Sequence, residues 1–395
     1  MKKVKAAKTE LSEQLDKKKN RLKKKFASLA SENPGDLSIV LLTVILVVFG
    51  TVMIFSASYY KSISDVGDPY VYLKRQLLWA IVGFVAMWIT SRIDYHIWGQ
   101  NFYIIAPLVC MGLLALVFTP LGVTVNGATR WIGVGPVTLM PGEIAKVGLI
   151  FFVAGYYGRD SRRVLDFFKG VLPVIIVTGV FAGMIMLQPN MSTAFTVVFI
   201  AGGMIFVAGA QWKHLGMLAG VALTAGVGFI FTDKDGYRFA RITSFLDPFE
   251  DALGSGYQVV QSLLAMGTGG LTGLGLGNSI QKNLYLPEPQ NDFILAIIAE
   301  ELGFVGVCGL MAVYLLLVWR GCHVAMNAQD YMGMIMASGI IIMIGVQVII
   351  NIAVVTSTFP PTGVILPFVS YGGNALAIFM AMIGILINIS KTSKL

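Results

Sequence analysis

The sequence predicts an all-α polytopic integral membrane protein with about ten transmembrane helices. Of its 395 residues, 56% are hydrophobic and 13% are charged, whereas soluble domains contain about 25% charged residues. Apolar segments long enough to cross a bilayer, which requires about 20 residues, recur from residue 37 almost to the C-terminus. A chain this apolar cannot hide its hydrophobic surface in one core, so we expect lipid to surround it.

Ten spans are predicted from these apolar segments and from the polar connections between them. Their approximate bounds are 37–57, 73–91, 102–120, 143–157, 168–187, 191–210, 214–232, 292–319, 332–356 and 364–388. An even number of spans places both ends of the chain on the same side of the membrane.

Basic residues set the predicted orientation of these spans. Residues 1–35 contain eleven basic and four acidic residues, so this arm carries +7 of the net charge of +8. Cytoplasmic segments beside spans are enriched in Lys and Arg, and the connection 158–167, with its three arginines, falls on the side of the arm. We therefore predict a basic cytoplasmic arm at 1–35, a transmembrane domain at 36–390 and a cytoplasmic tail at 391–395. No nucleic acid is expected as a partner, because a basic segment beside a span favours anionic lipid.

The predicted outer face carries the long connections. These connections, 121–142, 233–291 and 357–372, are rich in Gly, Pro and polar residues, and the largest is 233–291, between the seventh and eighth spans. Connections longer than about 12–15 residues are uncommon unless they are functional. The sequence therefore places the chemistry of this protein at the outer face.

Glu143 and Lys146 are two of the few ionisable residues that fall inside a predicted span. Their i, i+3 spacing places both side chains on one face of the fourth helix, where each can neutralise the other. Charged groups inside a membrane are costly and are candidates for function by default. Two interpretations stay open, because the pair can hold helices together or line a substrate cavity, and both can be true.

Asp292, Glu300 and Glu301 form a second acidic group at the start of the eighth span. Asp292 lies where the largest outer connection enters the membrane, and the other two lie about 12–14 Å deeper along a helix. A carboxylate at the mouth of an outward cavity suits a general base. The alternative is an ordinary residue at a helix N-terminus, where the helix dipole favours negative charge.

Arg130, Arg238 and Arg241 are among the cationic residues of the predicted outer connections. A guanidinium binds phosphate oxygens in a bidentate manner, so these residues could hold a phosphorylated ligand. A solvated loop charge without a ligand is the alternative for each of them. Trp131 likewise suits either an anchor at the membrane interface or a ligand contact.

The glycine-rich segment 267–277 does not predict a nucleotide site. It follows no predicted strand, belongs to no βαβ unit and is not followed by the Lys-Ser/Thr of a P-loop. We interpret it as a tightly turning connection whose backbone can approach a ligand closely.

Several longer motifs are more specific. In chain order they are Phe55-Ser56-Ala57-Ser58, Lys74-Arg75-Gln76, Asn126-Gly127-Ala128-Thr129-Arg130-Trp131-Ile132, Pro141-Gly142-Glu143-Ile144-Ala145-Lys146, Tyr285-Leu286-Pro287-Glu288-Pro289-Gln290-Asn291-Asp292-Phe293-Ile294, Glu300-Glu301-Leu302-Gly303, Pro361-Thr362-Gly363 and Leu366-Pro367-Phe368-Val369-Ser370-Tyr371-Gly372-Gly373. Together they resemble the SEDS family of membrane proteins, which includes FtsW, RodA and SpoVE. The resemblance covers the chain after the basic arm. The arm and the run at 286–290 are more similar to the division and sporulation branch than to the elongation branch.

The resemblance implies a peptidoglycan glycosyltransferase of the bacterial plasma membrane. Family members polymerise lipid II, and each works with a class B penicillin-binding protein, the transpeptidase; other membrane proteins of the division machinery are further expected partners. Asp292 matches the essential aspartate of the family, and Glu143, Lys146 and Trp131 match other residues of its outer half. The remaining substrate contacts are expected from Arg130, Arg238, Arg241, Glu288 and Ser370.

The implied reaction is an inverting transfer between two lipid-linked sugars, with Asp292 as the base and undecaprenyl pyrophosphate as the leaving group. Arg130, Arg238, Arg241 or a divalent cation (Mg or Mn) would hold the pyrophosphate, and these alternatives stay open. Two other functions also stay open: a transporter that flips lipid II along a polar path through Glu143 and Lys146, and a division scaffold without catalysis.

Two residues depart from the family pattern. Asn190 follows Gln188-Pro189 where the family usually has an acid, and Asn374 follows Gly373 where a serine is commoner. Neither departure touches Asp292, but the first removes a charge from the outer half of the protein.

Overall fold

Most of the described chain is helical, as the sequence predicts. In this computed structural model the described residues are 35–125, 127–134, 137–218, 220, 224, 245, 247–254, 256–361 and 363–393. The helices are α1 (Leu37–Val66), α2 (Val71–Arg92), α3 (Tyr95–Gln100), α4 (Ile105–Leu116), α5 (Pro141–Gly158), α6 (Leu172–Leu187), α7 (Met191–Val207), α8 (Tyr257–Gly269), α9 (Ile294–Met326), α10 (Tyr331–Val355) and α11 (Gly373–Thr392). A 3₁₀ turn (Ser161–Leu165) and a π-helical turn (Phe167–Val171) precede α6, and residues 212–218 are also helical.

Six helical segments of the described chain are long and apolar enough to cross a membrane, namely α1, α2, the π-helical turn with α6, α9, α10 and α11. The shorter helices α4 and α7 are also apolar. Large apolar side chains such as Ile81, Trp88 and Leu315 are exposed, as expected where a helix faces lipid. The polytopic helical fold is thus confirmed. The count of ten spans stays a prediction, because much of the seventh predicted span, 214–232, lies outside the described residues.

Some helices extend beyond the apolar segments that predict them. α1 continues from the predicted end near residue 57 to Val66, where Gly67 ends it in a left-handed conformation with φ 78°, and α9 continues to Met326. Apolarity sets the predicted bounds, whereas a helix ends where its last carbonyls find other partners. The predicted third span, 102–120, is helical only over Ile105–Leu116.

The first and last described helices meet at one end of the bundle. The Asp36 N–H donates to Ser390 Oγ at 2.9 Å, and the Asp36 carboxylate pairs with Arg320 at 2.7 Å. Lys391 Nζ donates to the main-chain oxygen of Ser91 at 2.9 Å. We name this end the arm face, because the basic arm precedes Asp36. The start of α1 and the end of α11 therefore lie at the same end of the bundle, which agrees with an even number of spans.

α1 is 30 residues long, or about 45 Å. We name its opposite end the loop face; Lys61, Glu288 and Asp292 lie there. Here β1 (Gly122–Val125), β2 (Ala128–Val134) and β3 (Val137–Leu139) form an antiparallel sheet in the order β1-β2-β3. The sequence predicts only a connection at 121–142. Its many Val and Thr residues favour strands, so the sheet is a small addition to the helical fold.

A non-helical segment enters the bundle between α10 and α11. The predicted tenth span begins near residue 364, but α11 begins at Gly373. Residues Leu366, Phe368 and Val369 of the preceding segment are fully buried. Their main chain packs against α1 at Gly50, where an added Cβ would lie 2.6 Å from Phe368 O. Tyr314 of α9 donates its hydroxyl to Pro367 O, so this segment finds its partners inside the protein.

The helix α9 is broken at Gly303, which has φ 67°. The connection after α8 supplies hydrogen-bond partners for the main-chain groups that the break leaves unpaired. Phe304 N–H donates to Gly270 O at 2.9 Å, and Leu274 N–H donates to Glu300 O at 2.9 Å. A Cβ on Gly303 would lie 2.3 Å from the main-chain nitrogen of Gly273. Glycine is therefore required for this approach, and the glycine-rich segment contacts α9 closely.

Single cysteines test the predicted orientation. Leu253 in the outer connection is 92% exposed, and Ser161 after α5 is also exposed. In a protein whose Cys110, Cys308 and Cys322 are replaced, Leu253→Cys should react with an impermeant thiol reagent added outside intact spheroplasts, because the loop face points outward. Ser161→Cys should react only after lysis. Labelling of Ser161→Cys from outside would reverse the orientation.

Candidate active site

α5 carries a buried ion pair in its first two turns. Lys146 Nζ lies 2.6 Å from Glu143 Oε2, and the side chains of Lys146 and Glu143 are 2% and 7% exposed. Lys146 Nζ also donates to Gln347 Oε1 of α10 at 3.1 Å and lies 5.7 Å from the ring centroid of Phe379 on α11. The pair thus joins three helices, which fits its structural interpretation. A substrate contact by either side chain stays a prediction.

Two amides, Gln347 and Asn351, lie one turn apart on the same side of α10. Residues at i and i+4 have their Cβ atoms about 5–6 Å apart on a helix surface. Asn351 Nδ2 donates to the main-chain oxygens of Asp292 and Val364, both at 2.7 Å. One face of α10 therefore connects the Glu143–Lys146 pair with Asp292.

Asp292 lies in the turn that precedes α9 and is partly exposed. The helix begins at Ile294, and its N-cap residue is Phe293, which makes no side-chain capping bond. The Asp292 side chain lies beside Gly363, where an added Cβ would be 3.7 Å from Asp292 Oδ2. Asp292 lies one residue before this N-cap, so the alternative of an ordinary residue at a helix N-terminus, favoured by the helix dipole, stays open. A partly exposed carboxylate with a fixed main chain suits a base that must meet a ligand from the loop face.

Glu288 lies beside a cavity at the loop face. The cavity has a volume of about 280 Å³ and is lined by Lys61, Lys282, Leu284, Leu286, Pro287, Glu288 and Pro289. Glu288 lies 3.6 Å from Lys61 Nζ, and its Oε2 accepts from Gln290 Nε2 at 2.9 Å. The second lysine, Lys282, pairs with Glu301 at 2.8 Å. Because each lysine already faces a carboxylate, the cavity suits an uncharged polar group better than a free anion.

Ser370 supports the main chain behind this cavity. Its Oγ accepts from the Leu366 N–H at 2.8 Å, and the residue is 3% exposed. The next residue, Tyr371, donates its N–H to Gln290 O at 2.9 Å, and its ring packs edge-on against Tyr72 with 5.0 Å between centroids. The structure therefore gives Ser370 a role in shaping the segment, and a contact with substrate stays a prediction.

Glu300 and Glu301 fasten the glycine-rich connection to α9. Both side chains are fully buried. Glu301 pairs with Lys282 Nζ at 2.8 Å and accepts from Ser56 Oγ of α1 at 2.6 Å. Glu300 accepts from Ser279 Oγ at 2.5 Å and from the main-chain N–H groups of residues 280 and 281. We name Ser56, Ser279, Lys282, Glu300 and Glu301 the loop clasp. It fixes the chain about ten residues before Asp292.

Arg130 and Trp131 lie on β2. Arg130 donates to the main-chain oxygen of Pro189 in the turn between α6 and α7. Asn190 of the same turn caps α7, with its Oδ1 accepting from the Thr193 N–H at 3.3 Å. Asn and Asp cap helices about equally well, so Asn190 keeps the cap and lacks the charge.

Arg238 and Arg241, the other predicted cations, lie outside the described residues. Within the described ranges, no three histidine, cysteine or carboxylate side chains converge as a metal site requires. A divalent cation therefore stays a prediction from the sequence.

Sequence reasoning misses three features of this region: Gln347, Asn351 and the pairing of the outer cation Lys282 with Glu301. The first two are amides in an otherwise apolar span, and polar residues at such positions are a signal that could find them. Lys282 gives no such signal, because its partner Glu301 is 19 residues away in the sequence and only the folded connection brings the two together.

The Glu143–Lys146 pair makes a prediction about stability. Lys146→Met leaves a buried carboxylate without its cation, and breaking a buried pair from one side costs about 3–5 kcal/mol. The variant should unfold at a clearly lower temperature in detergent, whereas Glu143→Gln combined with Lys146→Met should recover most of the loss. The control is Lys74→Met at the exposed Lys74–Asp68 pair, since exposed pairs contribute about 0–1 kcal/mol. Equal effects of the two lysine variants would contradict the structural role.

The loop clasp makes a local prediction. Lys282→Met removes the cation that faces the fully buried Glu301, so the connection 270–282 should open more often. Amide hydrogen exchange in this connection should accelerate by at least about 10-fold, because an opening free energy lower by 1.4 kcal/mol gives that factor. Lys61→Met is the control, because Lys61 and its partners are partly exposed. Unchanged exchange in Lys282→Met would show that the clasp does not hold the connection.

Comparison with known proteins agrees with this architecture. The family model FTSW_RODA_SPOVE, described as "Cell cycle protein", matches residues 36–395. Stage V sporulation protein E of Bacillus subtilis (strain 168) is 42% identical over 361 residues, which cover 91% of this chain and 98% of that protein. The "Probable peptidoglycan glycosyltransferase FtsW" of Geobacter sp. (strain M18) is 40% identical over 356 residues, which cover 90% of this chain and 96% of that protein.

Two solved structures are similar over nearly their whole length. A chain from "Structural coordination of polymerization and crosslinking by a peptidoglycan synthase complex" has a TM-score of 0.74 at 28% identity and covers 90% of this chain and 97% of its own. The rod shape determining protein RodA of Thermus thermophilus has a TM-score of 0.65 at 27% identity and covers 91% and 98%. With its motifs, its helices and these matches, the chain belongs to the FtsW/RodA/SpoVE family of multi-pass bacterial membrane proteins.

Proposed function

We propose that this protein is a peptidoglycan glycosyltransferase that polymerises lipid II at the outer face of the plasma membrane, in cell division or sporulation. Relatives about 40% identical bear the name peptidoglycan glycosyltransferase or a sporulation name. The observation that carries the proposal is the position of Asp292, a partly exposed carboxylate at the loop face whose main chain is held by Asn351.

In the proposed reaction, Asp292 takes the proton of the acceptor's GlcNAc 4-hydroxyl. The freed oxygen attacks the anomeric carbon of the donor, the bond to the pyrophosphate breaks, and undecaprenyl pyrophosphate leaves with the electron pair. Formation of a β-1,4 bond from an α-phosphate inverts the anomeric carbon, so one base and charge stabilisation of the leaving group are sufficient. Arg130, Arg238, Arg241 or a divalent cation would stabilise that charge.

The distribution of polar residues supports polymerisation over transport of lipid II. Between Lys146 and Tyr156, α5 carries only apolar residues and glycine, and so does α10 between Ser338 and Gln347. A flippase needs polar groups along its whole route through the membrane. Each of these two helices therefore has a stretch without polar side chains on the arm-face side of the buried ion pair.

The expected partner is a class B penicillin-binding protein with transpeptidase activity. One similar solved chain comes from a peptidoglycan synthase complex that coordinates polymerization and crosslinking. A polymerase whose acceptor and donor stay lipid-anchored supplies its product at the outer surface, where a membrane-anchored transpeptidase can use it. Other membrane proteins of cell division are further expected partners.

Asp292→Asn tests the proposed base. The amide keeps the size of the side chain but cannot accept the proton at neutral pH, and general-base catalysis contributes about 10²–10⁴-fold. The variant should insert, keep its thermal stability and lose nearly all formation of glycan ladders from labelled lipid II. Asp292→Glu should keep a trace, because a misplacement of about 1 Å can cost about 10²-fold.

The matched control for this test is Asp68→Asn, also at the loop face. A hydrogen bond from Lys74 holds the pKa of Asp68 below its ordinary value, so the control removes an ionised carboxylate as well. It should make ladders at the rate of the unmodified protein. Normal ladders from a stable Asp292→Asn protein would end the assignment, and Glu288 would be the next candidate.

A further inference from the structure

The side chain of Asn351 bridges two main-chain segments that are otherwise distant in sequence. Its Nδ2 donates to Asp292 O and to Val364 O, both at 2.7 Å. Asp292 ends the large outer connection, and Val364 belongs to the non-helical segment before α11. Asn351 is 0% exposed; its bond to Val364 O is buried and its bond to Asp292 O is partly buried.

The chemistry of this bridge requires a primary amide. Two carbonyl oxygens need two donor hydrogens, and the NH₂ group of Asn supplies both from one nitrogen atom. A carboxylate of the same shape would instead place a negative oxygen against two carbonyl oxygens. An apolar side chain of similar size would remove both hydrogen bonds and leave the buried Val364 O without this donor.

The geometry around the bridge links it to the Asp292 side chain. Gly363, which precedes Val364, lies beside Asp292 Oδ2, since an added Cβ there would be 3.7 Å away. Holding Asp292 O and Val364 O on one nitrogen therefore keeps the main chain of Asp292 close to the segment that contains Gly363.

We propose that Asn351 is a positioning residue that sets the Asp292 carboxylate for proton transfer. The inference rests on the proposed function, because it assigns Asn351 to the base of that reaction. Asn351 acts through the main chain of Asp292. Its loss should therefore lower kcat and leave KM for lipid II nearly unchanged, because the binding surfaces formed by other residues remain.

Two substitutions of similar size test the bridge. Asn351→Asp removes both donors and adds repulsion, and Asn351→Leu removes the donors without adding charge. Each should lower kcat for glycan-ladder formation by about 10–10²-fold, the range expected when a catalytic group is misplaced by up to about 1 Å. A kcat within about 2-fold of the unmodified protein in Asn351→Leu would overturn the inference.

Asn388 provides a matched control at the arm face. Its amide bridges α11 to the turn between α2 and α3, accepting from the Tyr95 N–H at 2.9 Å and donating to Ser91 O at 3.1 Å. Asn388→Leu removes a comparable bridge far from Asp292, so it should lower the unfolding temperature by a similar amount and keep kcat. If kcat fell in Asn388→Leu and Asn351→Leu alike, in step with the loss of folded protein, the role of Asn351 would be structural only and the inference would fail.

A double-mutant cycle separates this inference from the proposed function. If Asn351 acts through Asp292, adding Asn351→Leu to Asp292→Asn should cost less than about 2-fold further, whereas independent effects would multiply. Multiplicative losses would overturn the positioning role. An inactive Asp292→Asn together with a fully active Asn351→Leu would also overturn the positioning role, while Asp292 would remain the proposed base. A fully active Asp292→Asn would contradict both the assignment of the base and the positioning role.

Discussion

Main chain that leaves a helix inside an apolar bundle must find its hydrogen-bond partners within the protein, because lipid supplies none. Two segments of the described part of the chain are in that position. The connection 270–275 pairs with α9 at the Gly303 break. The segment 364–372 is held by the side chains of Ser370, Tyr314 and Asn351. Buried polar side chains such as Ser370, Tyr314 and Asn351 are therefore needed by the path of the main chain itself.

The same requirement places the candidate active site. The large outer connection is fixed by the loop clasp at Lys282 and Glu301, and its end at Asp292 is fixed by Asn351. One turn along α10, Gln347 holds Lys146 and through it Glu143. In the proposed function stability and catalysis are coupled, because a group that satisfies main chain next to Asp292 also holds the proposed base. Rigid placement of this kind is what a base needs to meet a hydroxyl group in one geometry.

The sequence predicts the helices and the site unequally, for physical reasons. Apolar runs predict α2, α5 and α7 closely, since a helix inside the membrane needs apolar side chains both toward lipid and toward neighbouring helices. The start of α11 is predicted too early, because 364–372 is as apolar as a span but is turned by Pro367 and the left-handed Phe368. The family motifs indicate Asp292, Glu143 and Lys146, whereas Asn351 acts through contacts with residues 59 and 13 positions away in sequence, which no local pattern contains.

The central claim is that this protein joins lipid-linked sugars at its loop face. Vesicles containing the purified protein and fluorescent lipid II allow polymer formation and movement between leaflets to be measured in one sample, with and without the penicillin-binding partner. The account predicts glycan ladders that a muramidase digests, with no more exchange of unpolymerised lipid II between leaflets than in protein-free vesicles. Rapid exchange between leaflets without any polymer, in the presence of the partner, would contradict it.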